Sequence, residues 1–354
     1  MLSTAGTIGP VGLVTKEVLP ANIDQDVARI DINDKSYLNE YYALAFLNSK
    51  YGQFQIARQT TGQIQTHISL DKIKKLILIP VPEWQEKISE IVKLSLSNLS
   101  KATRLYSQAE NLLLEELRLR DFEMPEDLSF VVNFSDVKKA NRMDADYFQP
   151  KYEKLISRLK TRNAKLLDDL VSMKKGFEPG GEAYQDEGKL FIRVSSLSKF
   201  GIEEKDQKYL SQKLYQELQN DYQPKVGEIL LTKDATPGIT FVVKEAIEGI
   251  ISGGILRLKP KMDIDPEYLA LCINSIIGKM QADRDSGGSI IIHWKPEQIR
   301  HVVIPVLPKS TQQKIAGLVR QSHQARRKSK ILLEQAKRTV EEMIETGSQM
   351  TVKQ

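Results

Sequence analysis

Two arrangements of charged residues could do hydrolytic chemistry. Asp168 followed by Glu187-Gly-Lys189 has the order of a metal-dependent nuclease, in which carboxylates hold a divalent ion beside the attacked phosphate. Glu203-Glu-Lys205 completes the same order equally well. With 27% charged residues the chain produces this pattern by composition, and neither copy marks a centre. His67 and His293 occupy matched positions, yet neither has a nucleophile or carboxylate motif beside it in sequence, so both read as hydrogen-bonded histidines at turns. The phosphate loop GxxxxGK[ST], the dinucleotide motif GxGxxG and the Asn/Asp-Pro-Pro-Tyr/Phe motif of amino-methyltransferases are absent. One cysteine, Cys272, and four histidines exclude a disulfide framework and leave too few soft ligands for a structural zinc site. No catalytic residue, metal or directly bound cofactor is expected.

Binding chemistry is better represented. Lys174 and Lys175 precede the turn-rich Gly176-Phe-Glu-Pro-Gly-Gly181, and Arg193, Lys233, Thr236, Arg284, Ser286 and Ser289 lie in or beside Gly- and Pro-containing segments. Lysines such as Lys233 anchor phosphates, whereas an arginine can pair bidentately with guanine. Taken singly, each also fits a solvated charge or a turn residue. The excess of 51 Lys+Arg over 46 Asp+Glu, net +5, is a weak basic bias that polyanion binding uses without requiring it.

The segments that must position these residues occur twice. Gly62-Gln-Ile-Gln-Thr-His67 is echoed by Gly288-Ser-Ile-Ile-Ile-His293, an offset of 226 positions that also relates Ile73 to Ile299 and Asn48, Ser49 and Gly52 to Asn274, Ser275 and Gly278. Leu76 to Pro82 answers Val302 to Pro308, Gln85 to Ile88 answers Gln312 to Ile315 at 227, and Leu2 to Gly9 resembles Leu231 to Gly238 at 229. Residues 165–230 have no counterpart ahead of Leu2, so the first unit is expected to lack its N-terminal part.

Each unit opens with short apolar runs between Gly and Pro: 227–232, 239–243 and 249–258 predict strands. Asp265-Pro266-Glu267 starts a helix with Tyr268, Leu271, Cys272 and Ile276 on one face, twinned by Leu38 to Leu47. The loop Ser286-Gly-Gly-Ser289, a strand, a Lys-Pro-Glu helix start and the strand ending at Pro308 follow. Behind each proline pair comes a long helix without internal proline, over 84–120 and 310–347. Ile88, Val92, Ser95, Leu99, Ala102, Tyr106, Ala109 and Leu113 alternate steps of four and three, as do Val319, Ser322, Arg326, Ser329, Leu333, Ala336, Val340 and Met343. These are seams of an antiparallel coiled coil. A helix of about 36 residues spans roughly 54 Å at 1.5 Å per residue, far more than covering a small core requires. The divisions are a first, N-terminally incomplete β-rich domain over 1–83, a spacer helix over 84–120, a polar linker over 121–149, a second such domain over 150–309 and a spacer helix over 310–347.

The fold class is mixed α/β (α+β): two repeated β-rich domains separated by two long antiparallel helices. Forty-one per cent apolar residues fit a soluble globular protein, and residues 1–14 carry no basic stretch, so no targeting signal or membrane span is read and a cytosolic compartment is the default. Phe191-Ile-Arg-Val-Ser195, Gly227-Glu-Ile-Leu-Leu-Thr232, Ser286 to Ser289, Ile304 to Pro308 with Gln312 to Ile315, the repeat of that last pair at Ile79 to Pro82 with Gln85 to Ile88, and Asp144-Ala-Asp-Tyr-Phe-Gln-Pro150 together resemble the specificity subunit of type I restriction-modification enzymes. The resemblance covers nearly the whole chain, and it lies in the duplicated order of the motifs. It implies a non-catalytic subunit that reads a bipartite double-stranded DNA target and docks methyltransferase subunits, which use S-adenosylmethionine on adenine, and a restriction subunit. A coiled-coil adaptor binding only protein, or a reduced fragment reading one half-site, stays open at this level.

Overall fold

The computed structural model describes residues 1–62, 66–123, 126–204, 207–287 and 292–350, and the chain divides into a unit of Met1–Arg104 with Ser322–Gln354 and a unit of Leu105–Gln321.

The long helices are Pro82–Glu116 and Lys309–Met350. In the first unit Ile88, Val92, Ala336 and Val340 are buried in one cluster with Tyr42 and Phe46. Ser95 Oγ donates to Ser329 O at 2.8 Å and Ser322 Oγ donates to Ala102 O at 2.7 Å. One index rises as the other falls, so the helices run antiparallel, and the polar seam positions meet backbone acceptors instead of burying unsatisfied hydroxyls. In the second unit the remainder of each seam, Tyr106, Ala109 and Leu113 on one helix and Val319 on the other, enters the main core together with Ile315 and Ala316. The first helix ends short of 120: Arg118 turns into the left-handed region at φ 54°, and the Leu119 amide donates back to Leu114 O.

The second unit carries a four-stranded antiparallel sheet in the order Thr240–Val242, Ile229–Thr232, Ile255–Pro260, Val171–Lys175. A three-stranded sheet lies in the order Gly249–Ile251, Lys189–Ile192, Lys208–Leu210, with the first pair parallel. The run 249–258 thus divides between two sheets, because the turn at Ser252-Gly-Gly254 redirects the chain after Ile251.

The helix expected over 265–276 is Pro266–Asn274, capped by the Asp265 carboxylate, which accepts from Glu267 N. It does not bury one face only. Glu267 to Asn274 are all buried, since helices, sheet and loops surround it. Ile276 lies outside it and opens a further helix, Ile276–Asp285, which the sequence pattern did not separate. Within this core Cys272 is fully buried, and burial pushes its thiol up from 9.0 to about 12. A raised folded-state value stabilises the fold below the unfolded thiol's range and loses that contribution as pH climbs towards about 12. At pH near 8, a thiol-disulfide reagent is therefore expected to modify Cys272 only at the rate of unfolding; rapid modification of the native chain would contradict the burial.

The repetition seen in sequence is a repetition of hydrogen bonds. Asn48 Nδ2 donates to Val11 O at 2.9 Å and accepts from Val11 N at 3.1 Å through Oδ1; Asn274 does the same with Thr240 at 2.9 and 2.8 Å. Tyr42 OH donates to Ile79 O at 2.6 Å, and Tyr268 OH to Pro305 O at 2.7 Å. The amide of Asn39 donates to Gln85 Oε1, and that of Asp265 to Gln312 Oε1. The strand pair Leu2–Ser3 with Val27–Ala28 matches Leu231 and Thr232 against Leu256 and Ile255. Strand Val171–Lys175, the further neighbour of Ile255–Pro260, falls in the stretch with no counterpart ahead of Leu2.

Among the described residues no helix is long and apolar enough to cross a membrane.

Candidate nucleic-acid interface

Five segments of the second unit meet at one end of its four-stranded sheet. Gly176 N donates to Ile255 O and Gly253 N to Phe177 O, at 3.0 and 2.8 Å. Ser252 N donates to Ile192 O, Lys233 N to Gly254 O, Ala235 N to Ile292 O and Trp294 N to Lys233 O, each at 2.8 to 2.9 Å. Segments near 176, 193, 234, 253 and 293 are thereby locked by backbone alone. The crossing is tight: a Cβ on Gly254 would lie 2.7 Å from Val194 Cγ2, and one on Gly176 only 2.2 Å from Ser252 O. Trp294, 1% exposed, packs beneath it.

Charge at this end is organised around one carboxylate. Asp234 Oδ2 holds Lys233 Nζ at 2.6 Å, and Asp234 Oδ1 lies 2.7 Å from His293 Nδ1. Side-chain exposures are 10% for Lys233, 18% for Asp234 and 57% for His293, so the imidazole is the open end of the network. Ala235 takes φ 58°, a left-handed turn that presents the exposed Thr236.

Of the expected contact residues, Lys175, Arg193, Lys233, Thr236 and Ser286 belong to this end or adjoin it. Lys175 is ion-paired with Glu178, Arg193 is half-buried, and Ser286 precedes Gly287, whose backbone pairs with that of His293. Ser289 lies outside the described residues. Lys174 is ion-paired with Asp221 at 2.6 Å and sits over the Tyr222 ring. Arg284 is engaged elsewhere, donating to Glu153 at 2.8 Å and stacking on Tyr147.

The residues of the nuclease-like order part company: Asp168 pairs with Arg300 and Lys189 with Glu248. Among the described residues no group of three or more His, Cys, Asp or Glu is placed to hold a metal ion. His67 is a turn histidine whose backbone pairs with Ala5 and Thr61. His293 is likewise a hydrogen-bonded turn histidine, as expected. It does have a carboxylate neighbour, Asp234, which is 59 positions away in sequence and therefore invisible to motif reading.

Residues 161–331 match the family model of the type I restriction modification DNA specificity domain. Among solved structures it is similar to a type I restriction-modification S subunit from M. genitalium, with 14% identity over 97% of this chain and 80% of that one, TM-score 0.41. It is also similar to the HsdS subunit from Thermoanaerobacter tengcongensis, with 14% identity over 87% and 70%, TM-score 0.34. A third likeness, to the type IIG restriction endonuclease BpuSI, covers 59% of this chain and 35% of that one at 10% identity, TM-score 0.39. No curated protein sequence matches the chain.

Proposed function

We propose that this chain acts in the cytoplasm as the sequence-reading subunit of a type I restriction-modification complex. It reads a bipartite DNA target and docks adenine methyltransferase and restriction subunits, to which methylation and cleavage are left. S-adenosylmethionine belongs to the methyltransferase partner. The observation that carries this reading is the duplicated hydrogen-bond framework around Asn48 and Asn274, because two copies of one scaffold in one chain suit a target of two half-sites. The loop crossing supports it further, offering Thr236 and His293 as exposed hydrogen-bonding side chains on a backbone held by hydrogen bonds between its segments.

Selection of bound sequences from a random duplex pool, with the chain and its modification subunit at stated salt, tests the reading. Two conserved blocks separated by a constant gap are expected. A single block would leave one reader per chain. No enrichment at all would favour a protein-binding adaptor built on the long helices.

A further inference from the structure

We propose that His293 is a DNA-contacting residue, and that Asp234 and Lys233 are positioning residues that hold its imidazole in one pose. The proposal rests on the DNA-reading function above.

The argument begins with what the side-chain network is not needed for. The loop at 233–236 and the segment at 292–294 are already joined by backbone hydrogen bonds from Ala235 N to Ile292 O and from Trp294 N to Lys233 O. The first repeat makes the same crossing: Ala5 bridges His67, and Ile68 N donates to Thr4 O at 3.0 Å. It does so with Thr4 and Ala5 standing where the second repeat has Lys233 and Asp234. A crossing that closes without the ion pair in one repeat does not require it in the other.

Burying the pair also has a cost. A lysine ammonium on a side chain only 10% exposed has given up most of its hydration, and the Coulomb attraction of its partner offsets that only in part. What the second repeat gains is orientation. A carboxylate is an acceptor only, so Nδ1 carries the proton and donates to Asp234 Oδ1 at 2.7 Å, while Lys233 at 2.6 Å fixes the other carboxylate oxygen. The carboxylate can rotate towards neither partner without losing the other. Nε2, the nitrogen left over, has no hydrogen-bond partner among the described residues, on a side chain 57% exposed. An imidazole so held presents one hydrogen-bonding atom with its tautomer and direction set in advance, which is how a reading residue limits the entropy lost on binding. In the neutral ring Nε2 is an acceptor, which suits an amino group on a base edge of duplex DNA; in the protonated ring it donates, which suits a phosphate oxygen or a base-edge acceptor.

The test compares the full-length wild-type chain, H293A, K233T/D234A and the triple variant. Each is measured on a mixed-sequence duplex and on the selected duplex, alongside urea unfolding. K233T/D234A copies the residues with which the first repeat already builds this crossing, so it keeps the fold. H293A is expected to weaken binding about tenfold with an unchanged unfolding midpoint. K233T/D234A is expected to weaken it less, and to add nothing once His293 is gone, because positioning residues act through the imidazole. Equal loss on both duplexes assigns the contact to phosphate, and loss confined to the selected duplex assigns it to a base edge. Wild-type affinity in H293A, or a loss matched by a fallen midpoint, overturns the assignment alone. If the wild-type chain binds neither duplex, the DNA-reading function fails and the assignment with it.

Discussion

Replacing Trp294 by alanine is expected to destabilise the second unit by about 3–5 kcal/mol and to abolish DNA binding at ordinary temperatures. Trp294 is 1% exposed and heads the fully buried side chains by volume. Among the described residues its Nε1 has no hydrogen-bond partner, so the loss is one of packing, set by how far the surroundings can close on the cavity. Little closure is available on the crossing side, where the backbones at Gly176 and Gly254 already lie too close to their neighbours to admit even a Cβ. The effect reaches the interface because Trp294 N donates to Lys233 O, one of the bonds that shapes the loop. Equilibrium unfolding in urea measures the first effect and duplex titration the second. W294F should recover most of the stability. In the first repeat Ile68, 3% exposed, takes the equivalent place, and I68A should cost less because less volume is removed. An unchanged midpoint in W294A would show that the ring does not support the crossing.

The second large effect is expected at Glu228. This residue enters strand Ile229–Thr232 and pairs with Arg257 on the adjacent strand at 3.0 Å, with side-chain exposures of 8% and 11%. Glu228 Oε2 also accepts from Lys225 N at 2.8 Å, and the Arg257 guanidinium donates to Gln223 O at 2.5 Å. Removing the carboxylate leaves a guanidinium out of water without its counter-charge, so E228A should cost about 3–5 kcal/mol. Replacing both, in E228A/R257M, removes the buried cation together with its partner and should restore most of that loss. The urea midpoints of the two variants decide the point. If they coincide, the pair contributes nothing through its coupling, and the loss in E228A belongs to the Lys225 amide.

Local regularities of the chain determined much of this protein. The alternation of steps of four and three placed Ile88, Val92, Ser95 and Ala102, and Ser322, Ser329, Ala336 and Val340, on buried seams, because helical spacing is a property of neighbouring residues. The offset of 226 paired Asn48 with Asn274, and those residues make the same bonds in both repeats, as do Tyr42 and Tyr268 in the structure, since a duplicated segment carries its own partners with it. Turn chemistry located the loop holding Lys233 and Thr236 and the turn that follows Lys175.

Tertiary structure decided the rest. Helix Pro266–Asn274 is buried all round, which no single apolar stripe foretells, because the elements covering its other faces come from distant parts of the chain. The run 249–258 entered two sheets because its partners, Phe191 on one side and Leu231 on the other, lie outside it. Ion pairing drew Lys174 to Asp221 and Arg284 to Glu153, since a charge takes the counter-charge that folding brings within reach. By the same physics Lys233 became a buried support, and His293 acquired a carboxylate 59 positions away. Composition and spacing thus settled which residues were candidates; the long-range contacts alone decided which of them are ion-paired or buried and which keep an exposed hydrogen-bonding atom.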